Sequence, residues 1–166
     1  MTRNAIVDAL GVLKAGRIVD LTHLVHPGIQ RFGPFPAMRI ETRYTVAESG
    51  FHVEEVTFVT QYGTHVDAPE HFVEGRRTLE RIELEERGVT AVGHETLDTD
   101  GSADVRARGF LDCEKYVLES DHYQVEVMAN LDKLPSTGGV IFVGLPKFDK
   151  FPGFPVCAWA VVPNED

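Results

Sequence analysis

The stretch Gln61-Tyr-Gly-Thr-His65-Val-Asp67-Ala-Pro-Glu-His71-Phe72 constrains this chain more than any other. Among its dozen positions are two imidazoles, the Asp67 carboxylate and a carboxamide. Side chains alternate faces along an extended strand, so Gln61, Gly63, His65 and Asp67 are predicted to share one face. Gly63 has no side chain and is expected to leave the floor between Gln61 and His65 open for an ion or ligand. Pro69 has no amide hydrogen for a ladder and is expected to end the pairing. The turn that follows brings His71 back toward the same face. Imidazole plus carboxylate on one short segment suits zinc or manganese. His71 is then left to move protons, a task that suits the near-neutral titration of an imidazole.

Composition narrows the setting. The 166 residues suffice for one well-cored domain and fall short of two ordinary ones. A net charge of -10 argues against nucleic acid or an anionic membrane as partner, because phosphate-binding surfaces need an excess of lysine and arginine. No apolar run approaches a membrane span, and the N-terminus does not read as a signal peptide. The two cysteines, Cys113 and Cys157, form no Cys-x-x-Cys pair and are expected as buried thiols. A cytoplasmic protein is the default.

In order, 4–15 reads as an amphipathic helix stopped by Gly16, with Ile6, Ala9, Leu10 and Leu13 at helical spacing. Residues 17–25 read as a strand broken at Pro27-Gly28, with His23 and His26 as loop or packing residues. Residues 30–37 form a Pro/Gly loop. Its Phe32 and Phe35 either pin the loop to the core or cover a ligand. Strands are predicted over 38–46 and 52–60. The charged run 76–87 reads as a connector, followed by a strand of parallel-sheet character from Val89 to Val92. His94 and Glu95 stand just past its C-terminal end, where open α/β sheets place ligands. Residues 98–108 read as a loop and 114–119 as a helical turn or two. Strand parity puts His122, Gln124 and Glu126 on one face. Residues 138–144 are predicted as a central strand, 146–155 as a loop and 156–162 as a final buried strand.

The run Gly63-Thr-His65-Val-Asp67-Ala-Pro69-Glu-His71 resembles the signature of the cyclase-like metal-dependent hydrolases, the family of bacterial kynurenine formamidase and isatin hydrolase. A second segment around Glu126, with Asn130-Leu131 and Leu134-Pro135 beyond it, is similar to the family's second site segment. The resemblance implies a divalent ion on His65 and Asp67, with His71 as acid/base. It implies that Glu126 approaches the ion or its water. Two positions depart from the pattern. Gln61 stands where the family has a histidine, so it is an added ligand, a substrate contact or a spacer. Glu114 stands where some members place a further histidine.

Residues 79–86 also look shortened, by several tens of residues, against relatives. The implied fold is a strand-rich swivelling β/β/α domain with a mixed, partly barrel-like sheet, spanning 1–166 as one unit. Relatives are dimers or higher, which implies a homo-oligomer, a dimer or tetramer. The expected activity is hydrolysis of an amide, formamide, lactam or lactone bond in a small aromatic substrate. Phe32, Phe35, His94 and Gln124 are the expected substrate contacts. A metal-dependent cyclase or lyase, and an inactive binding relative, are the rival readings. Neither a Gly-x-Ser-x-Gly nor a P-loop is present.

Overall fold

The computed structural model describes residues 3–82 and 91–164. Helix α1 (Arg3–Ala15) leads into strand β1 (Arg17–Asp20), with Gly16 at the joint. That joint is tight: a Cβ on Gly16 would lie 2.6 Å from Val161 Cγ1. β1 is shorter than the predicted strand, and the chain continues through Leu21, which is fully buried. Strands β2 (Arg39–Tyr44) and β3 (Val53–Thr57) form an antiparallel hairpin, joined through the one-turn helix α2 (Val46–Ser49). Gly50 closes α2 at φ 79°, in the left-handed region that glycine enters without steric cost.

Strand β4 (His65–Asp67) follows and is buried throughout. After it come a 3₁₀ turn at Pro69–His71, strand β5 (Ala91–Gly93), and helices α3 (Ser102–Arg108) and α4 (Asp112–Glu119). The chain ends with strands β6 (Tyr123–Glu126), β7 (Val140–Gly144), β8 (Gly153–Pro155) and β9 (Cys157–Val162).

The described strands make three sheets, ordered β1-β9-β7, β2-β3 and β5-β6-β4-β8. All pairs are antiparallel except β5 with β6. The mixed, strand-rich α/β expectation is met. The partly barrel-like expectation is not, because no described strand pairing closes a sheet on itself. One apolar core joins the two larger sheets: Val66, Ala68 and Val125 meet Val19, Ala158, Ala160 and Val162, with Leu79 and Met128 between. β9 is the middle strand of its sheet and alternates exposed and buried positions, as a half-buried strand must.

Four local expectations fail for identifiable reasons. Residues 102–108 are a helix, not a loop; the acidic, Gly/Ser-bearing composition of its surroundings hid a seven-residue segment that Gly109 ends at φ 76°. Residues 153–155 are a strand, because Pro155 sits at the margin of a short edge strand where its missing donor costs nothing. β7 lies at a sheet edge and is largely exposed, although its apolar run suggested a central strand. Both cysteines are free and exposed, not buried. Of the predicted strand over 89–92, residues 91–92 are strand and pair in parallel as foreseen, while Val89 and Thr90 lie outside the described residues. The shortened region at 79–86 lies partly outside them too; its described part is a 3₁₀ turn, Leu79–Arg81, with Leu79 buried. No helix among the described residues is long and apolar enough to cross a membrane.

Gly153 is where packing leaves no slack. In the β4–β8 pair it lies opposite Asp67, and a Cβ there would meet Val66 O at 2.5 Å, Gln61 Nε2 at 2.6 Å and Asp67 Oδ1 at 2.8 Å. Gly153→Ala is therefore expected to cost ~1–3 kcal/mol. For a chain of this size that is about 2–4 °C of Tm per kcal/mol, read by calorimetry. An unchanged Tm would contradict this packing.

Candidate metal centre

β4 runs between β6 and β8, and its register builds the site. His65 pairs across to Glu126, and Asp67 to Gln124. Directly opposed residues of an antiparallel pair point to the same face, so all four side chains converge. All four are buried: His65 is 2% exposed, Asp67 1%, Gln124 0% and Glu126 3%. Pro69 ends the extended run as expected, and the 3₁₀ turn after it carries His71 to the same region. Gln61 also arrives, but from a bend preceding β4 rather than by strand alternation.

Gly63 plays a different part from the one its spacing suggested. Its φ is 65°, and its missing side chain makes room for Ile29, whose Cδ1 would be 2.6 Å from a Cβ there. The glycine that opens the site floor is Gly153, beneath Gln61 and Asp67.

His65 Nδ1 donates to the Gly63 carbonyl at 2.8 Å, which turns Nε2 toward Asp67 Oδ2 at 3.5 Å and Glu126 Oε2 at 3.6 Å. A second nitrogen fixed by a carbonyl is the usual way of presenting the other as a ligand. His65, Asp67 and Glu126 each offer a donor atom, all within 4.8 Å of one another. Asp67, His71 and Glu114 form a second such trio, with Asp67 shared. His71 Nε2 is 4.0 Å from Asp67 Oδ1 and 3.9 Å from Glu114 Oε1. The His65–Asp67–Glu126 donors, one imidazole and two carboxyls, fit a divalent cation of borderline softness.

The other expected site residues take up supporting positions. The Gln61 amide nitrogen donates to Asp67 Oδ1 at 3.2 Å and lies 3.4 Å from His71 Nδ1. Its oxygen accepts from Thr60, so the carboxamide faces the centre as a donor. Gln124 donates to Glu126 Oε1 at 2.9 Å and accepts from Thr99 at 2.9 Å, standing behind the acids. His94 reaches Glu126 Oε1 at 3.7 Å and Thr99 at 3.0 Å on the same rear side. His122 shows no contact with the centre, while Glu95 accepts from the Leu131 amide and serves a turn. β6 ends abruptly after Glu126: Val127 has φ 52°, rare for a β-branched residue, and is held by Thr64 Oγ1 donating to its carbonyl and by its own amide to Thr96.

The centre opens into a cavity of about 280 Å³. Its mouth is apolar, with Phe32, Phe35, Phe72, Leu97 and Leu111, and its floor is His65, Asp67, His71, Glu126 and Gln61. Asp98 and Glu114 complete the wall. Asp98 carries no sequence signal for this position, and Glu114 carries only its alignment with a histidine of some family members. Glu114 is delivered by α4, whose first turn is fixed by Asp100 accepting from the amides of Cys113 and Glu114.

Burial sets the proton affinities. It pushes Glu126 up to about 10 and Glu114 up to about 8, and in both the Asp67 charge adds to it. Burial would raise Asp67 as well, but the His65 and His71 charges and the hydrogen bonds from His65 and Gln61 hold it at about 2. Burial works against a charged His65, yet Asp67 and the Gly63 carbonyl outweigh it and raise the imidazole above its ordinary value. Burial lowers His94.

Known proteins share this fold. Residues 19–87 match the family model described as Putative cyclase. No curated protein sequence matches the chain. Isatin hydrolase A from Labrenzia aggregata, bound to benzyl benzoate, superposes with a TM-score of 0.80 at 19% identity, over 97% of this chain and 99% of that one. An isatin hydrolase bound to the product analogue thioisatinate gives 0.79 at 16% identity, over 99% and 100%. A predicted metal-dependent hydrolase from Bacillus stearothermophilus gives 0.66 at 13% identity, over 88% and 98%. The resemblance read from residues 63–72 is thereby borne out, and the fold is that of isatin hydrolase.

The proton affinities set a pH dependence for the chelator-treated protein. At neutral pH the native state holds protons on Glu114 and Glu126 that the unfolded chain has released, since their values are raised to about 8 and about 10. Stability therefore falls as pH climbs from the ordinary carboxylate range through those values. Asp67 acts in the opposite sense, and its contribution is lost only as pH falls toward about 2. Calorimetry is expected to show Tm declining between pH 5 and 8, with Glu126→Gln flattening the decline. A Tm that rises over this range would refute the assignment.

Proposed function

For a chain whose residues 19–87 match the cyclase family and whose fold is that of the isatin hydrolases, we propose metal-dependent hydrolysis of an acyl bond in a small aromatic substrate. The bond class is an amide, formamide, lactam or lactone. One observation carries the reading: a buried His65–Asp67–Glu126 trio lies at the floor of a cavity whose mouth is aromatic, with His71 on its wall. The aromatic compounds held by the two isatin hydrolases, benzyl benzoate and thioisatinate, agree in kind.

His65, Asp67 and Glu126 would hold the ion, zinc or manganese by donor type. When bound, such an ion supplies Lewis acidity, which acidifies water and polarises a carbonyl. The chain's residues do the rest. Asp67, kept ionised, fixes the orientation of His65 and Gln61. The Gln61 amide nitrogen lies 3.4 Å from His71 Nδ1, and the ring turns Nε2 toward Asp67 and Glu114, into the reaction space. His71 takes the proton of the attacking water and returns it to the leaving nitrogen or oxygen. Phe32, Phe35 and Phe72 pack against the substrate ring and exclude water. Residues 1–166 act as one unit in this reading. The exposed apolar face of the β2–β3 hairpin, Ile40, Tyr44, Val53 and Val56, supports a homo-oligomer, and a cytoplasmic setting suits the two free thiols.

The family description favours one second reading, a cyclase or lyase that uses the same ion. Product analysis in isotopically labelled water separates the two, because only hydrolysis places solvent oxygen in the product.

His71→Ala is expected to retain the ion and lose ~10²–10⁴-fold in kcat, while Asp67→Ala loses ion and turnover together. Elemental analysis alongside an amide, formamide and lactone panel reads both. Full metal occupancy in Asp67→Ala would remove the ligand assignment.

A further inference from the structure

The cavity is lined by more carboxyl groups than one ion at its floor uses. Asp67, Asp98, Glu114 and Glu126 all line it, and among the described residues no lysine or arginine does. One divalent ion at the His65 trio engages two of these four carboxyls, Asp67 and Glu126. Glu114 remains, 2% exposed, with Oε1 3.9 Å from His71 and Oε2 buried without any hydrogen-bond partner. A buried carboxyl oxygen with no donor costs free energy until one arrives. Asp98 stands on the same wall, half-buried and without an ion-pair partner among the described residues. Three phenyl rings border the same space: Phe32 and Phe35 meet edge to face with centroids 5.2 Å apart, and Phe72 packs edge-on to His71 at 5.0 Å. Acids within an aromatic wall are the surroundings in which an organic cation is bound, the rings attracting it through their faces and the carboxylate through hydrogen bonds.

We propose that Glu114, assisted by Asp98, binds an ammonium group of the substrate, so that the preferred substrate is an aromatic acyl compound bearing a basic amine and no free carboxylate. The inference rests on the reading of the cavity as an acyl-hydrolysing site. It explains why Glu114 is brought in with no protein donor for Oε2: the donor comes with the ligand. It also sets a discrimination. A substrate carboxylate entering this wall finds no guanidinium or ammonium among the described residues and meets only further carboxyl groups.

Titration calorimetry of the metal-loaded protein with benzylamine, protonated at pH 7, and with its neutral isostere benzyl alcohol tests this directly. Benzylamine is expected to bind at least ~10-fold more tightly. Glu114→Gln is expected to erase most of that difference and Asp98→Asn a few-fold of it. Far-ultraviolet circular dichroism and Tm of each variant separate lost recognition from lost fold. In turnover, para-substituted aromatic formamides carrying aminomethyl, methyl or carboxymethyl groups are expected to rank in that order of rising KM. Equal binding of the two probes in the wild type overturns the proposal. So does a preference for benzylamine that survives Glu114→Gln, which would mean that the amine ligates the ion. Two ions per chain in the wild type, falling to one in Glu114→Gln without any ammonium preference, would assign Glu114 to a second cation and also overturn it. Ammonium preference without turnover would refute hydrolysis and leave the recognition intact; turnover without the preference would do the reverse.

Discussion

Asp67 is the residue on which the site's geometry depends. It ends a buried strand, pinned between β6 and β8, and both of its oxygens are engaged by side chains from outside that strand. Gln61 and Gln124 donate to it, and His65 and His71 face it from either side. A buried carboxylate survives only with such compensation. The two imidazoles hold it charged while their neighbours Glu114 and Glu126, lacking equal partners, are driven toward the protonated state. One residue thus sorts the others into groups that keep a charge and groups that give it up until a cation is present. The floor beneath Asp67 has room for this only because position 153 has no side chain.

The half of the site that comes from one segment was legible in the sequence. His65 and Asp67 are two apart on a strand, Pro69 forces the chain to turn, and His71 follows within one 3₁₀ turn, so local rules suffice. Glu126 was legible by its strand parity with Gln124, combined with a resemblance that named the segment. What local rules could not supply was the pairing partner. That β4 takes β6 on one side and β8 on the other depends on the core formed by Val66, Val125 and Ala158, far apart in sequence. β8 itself hides in a Pro/Phe/Gly loop composition, so its Gly153 drew no notice. Gly63 drew notice for the wrong reason, since a glycine within a motif does not reveal which neighbour fills its empty side.

The same limit applies to Glu114. Residues 114–119 read as a helical turn or two with Tyr116, Val117 and Leu118 partly buried, and only the resemblance, which puts a histidine here in some relatives, marks position 114 itself. Its place is determined by Asp100, thirteen and fourteen residues before the amides it accepts from, which anchors the first turn of α4. An acid accepting two orphan amides is the ordinary way to fix a helix start. The two thiols misled in the same manner: cysteine is commonly buried, but Cys113 lies on the outward side of this same first turn.

α4 therefore does two things at once. Its first turn puts Glu114 into the cavity, and its body packs on the 3₁₀ turn that carries His71. Leu118, one turn beyond Glu114 and fully buried, locks that packing. The His71 imidazole and the unpartnered Glu114 carboxyl are consequently positioned by the same contact between α4 and the turn. In the proposed reaction, a substrate group drawn to Glu114 would be placed at a fixed distance from His71 and from the Asp67 centre. Orientation of that kind lowers the entropic part of a barrier before any bond changes. The physical requirement is rigidity at two points of one ligand, and the fold meets it by docking a single short helix on a single turn.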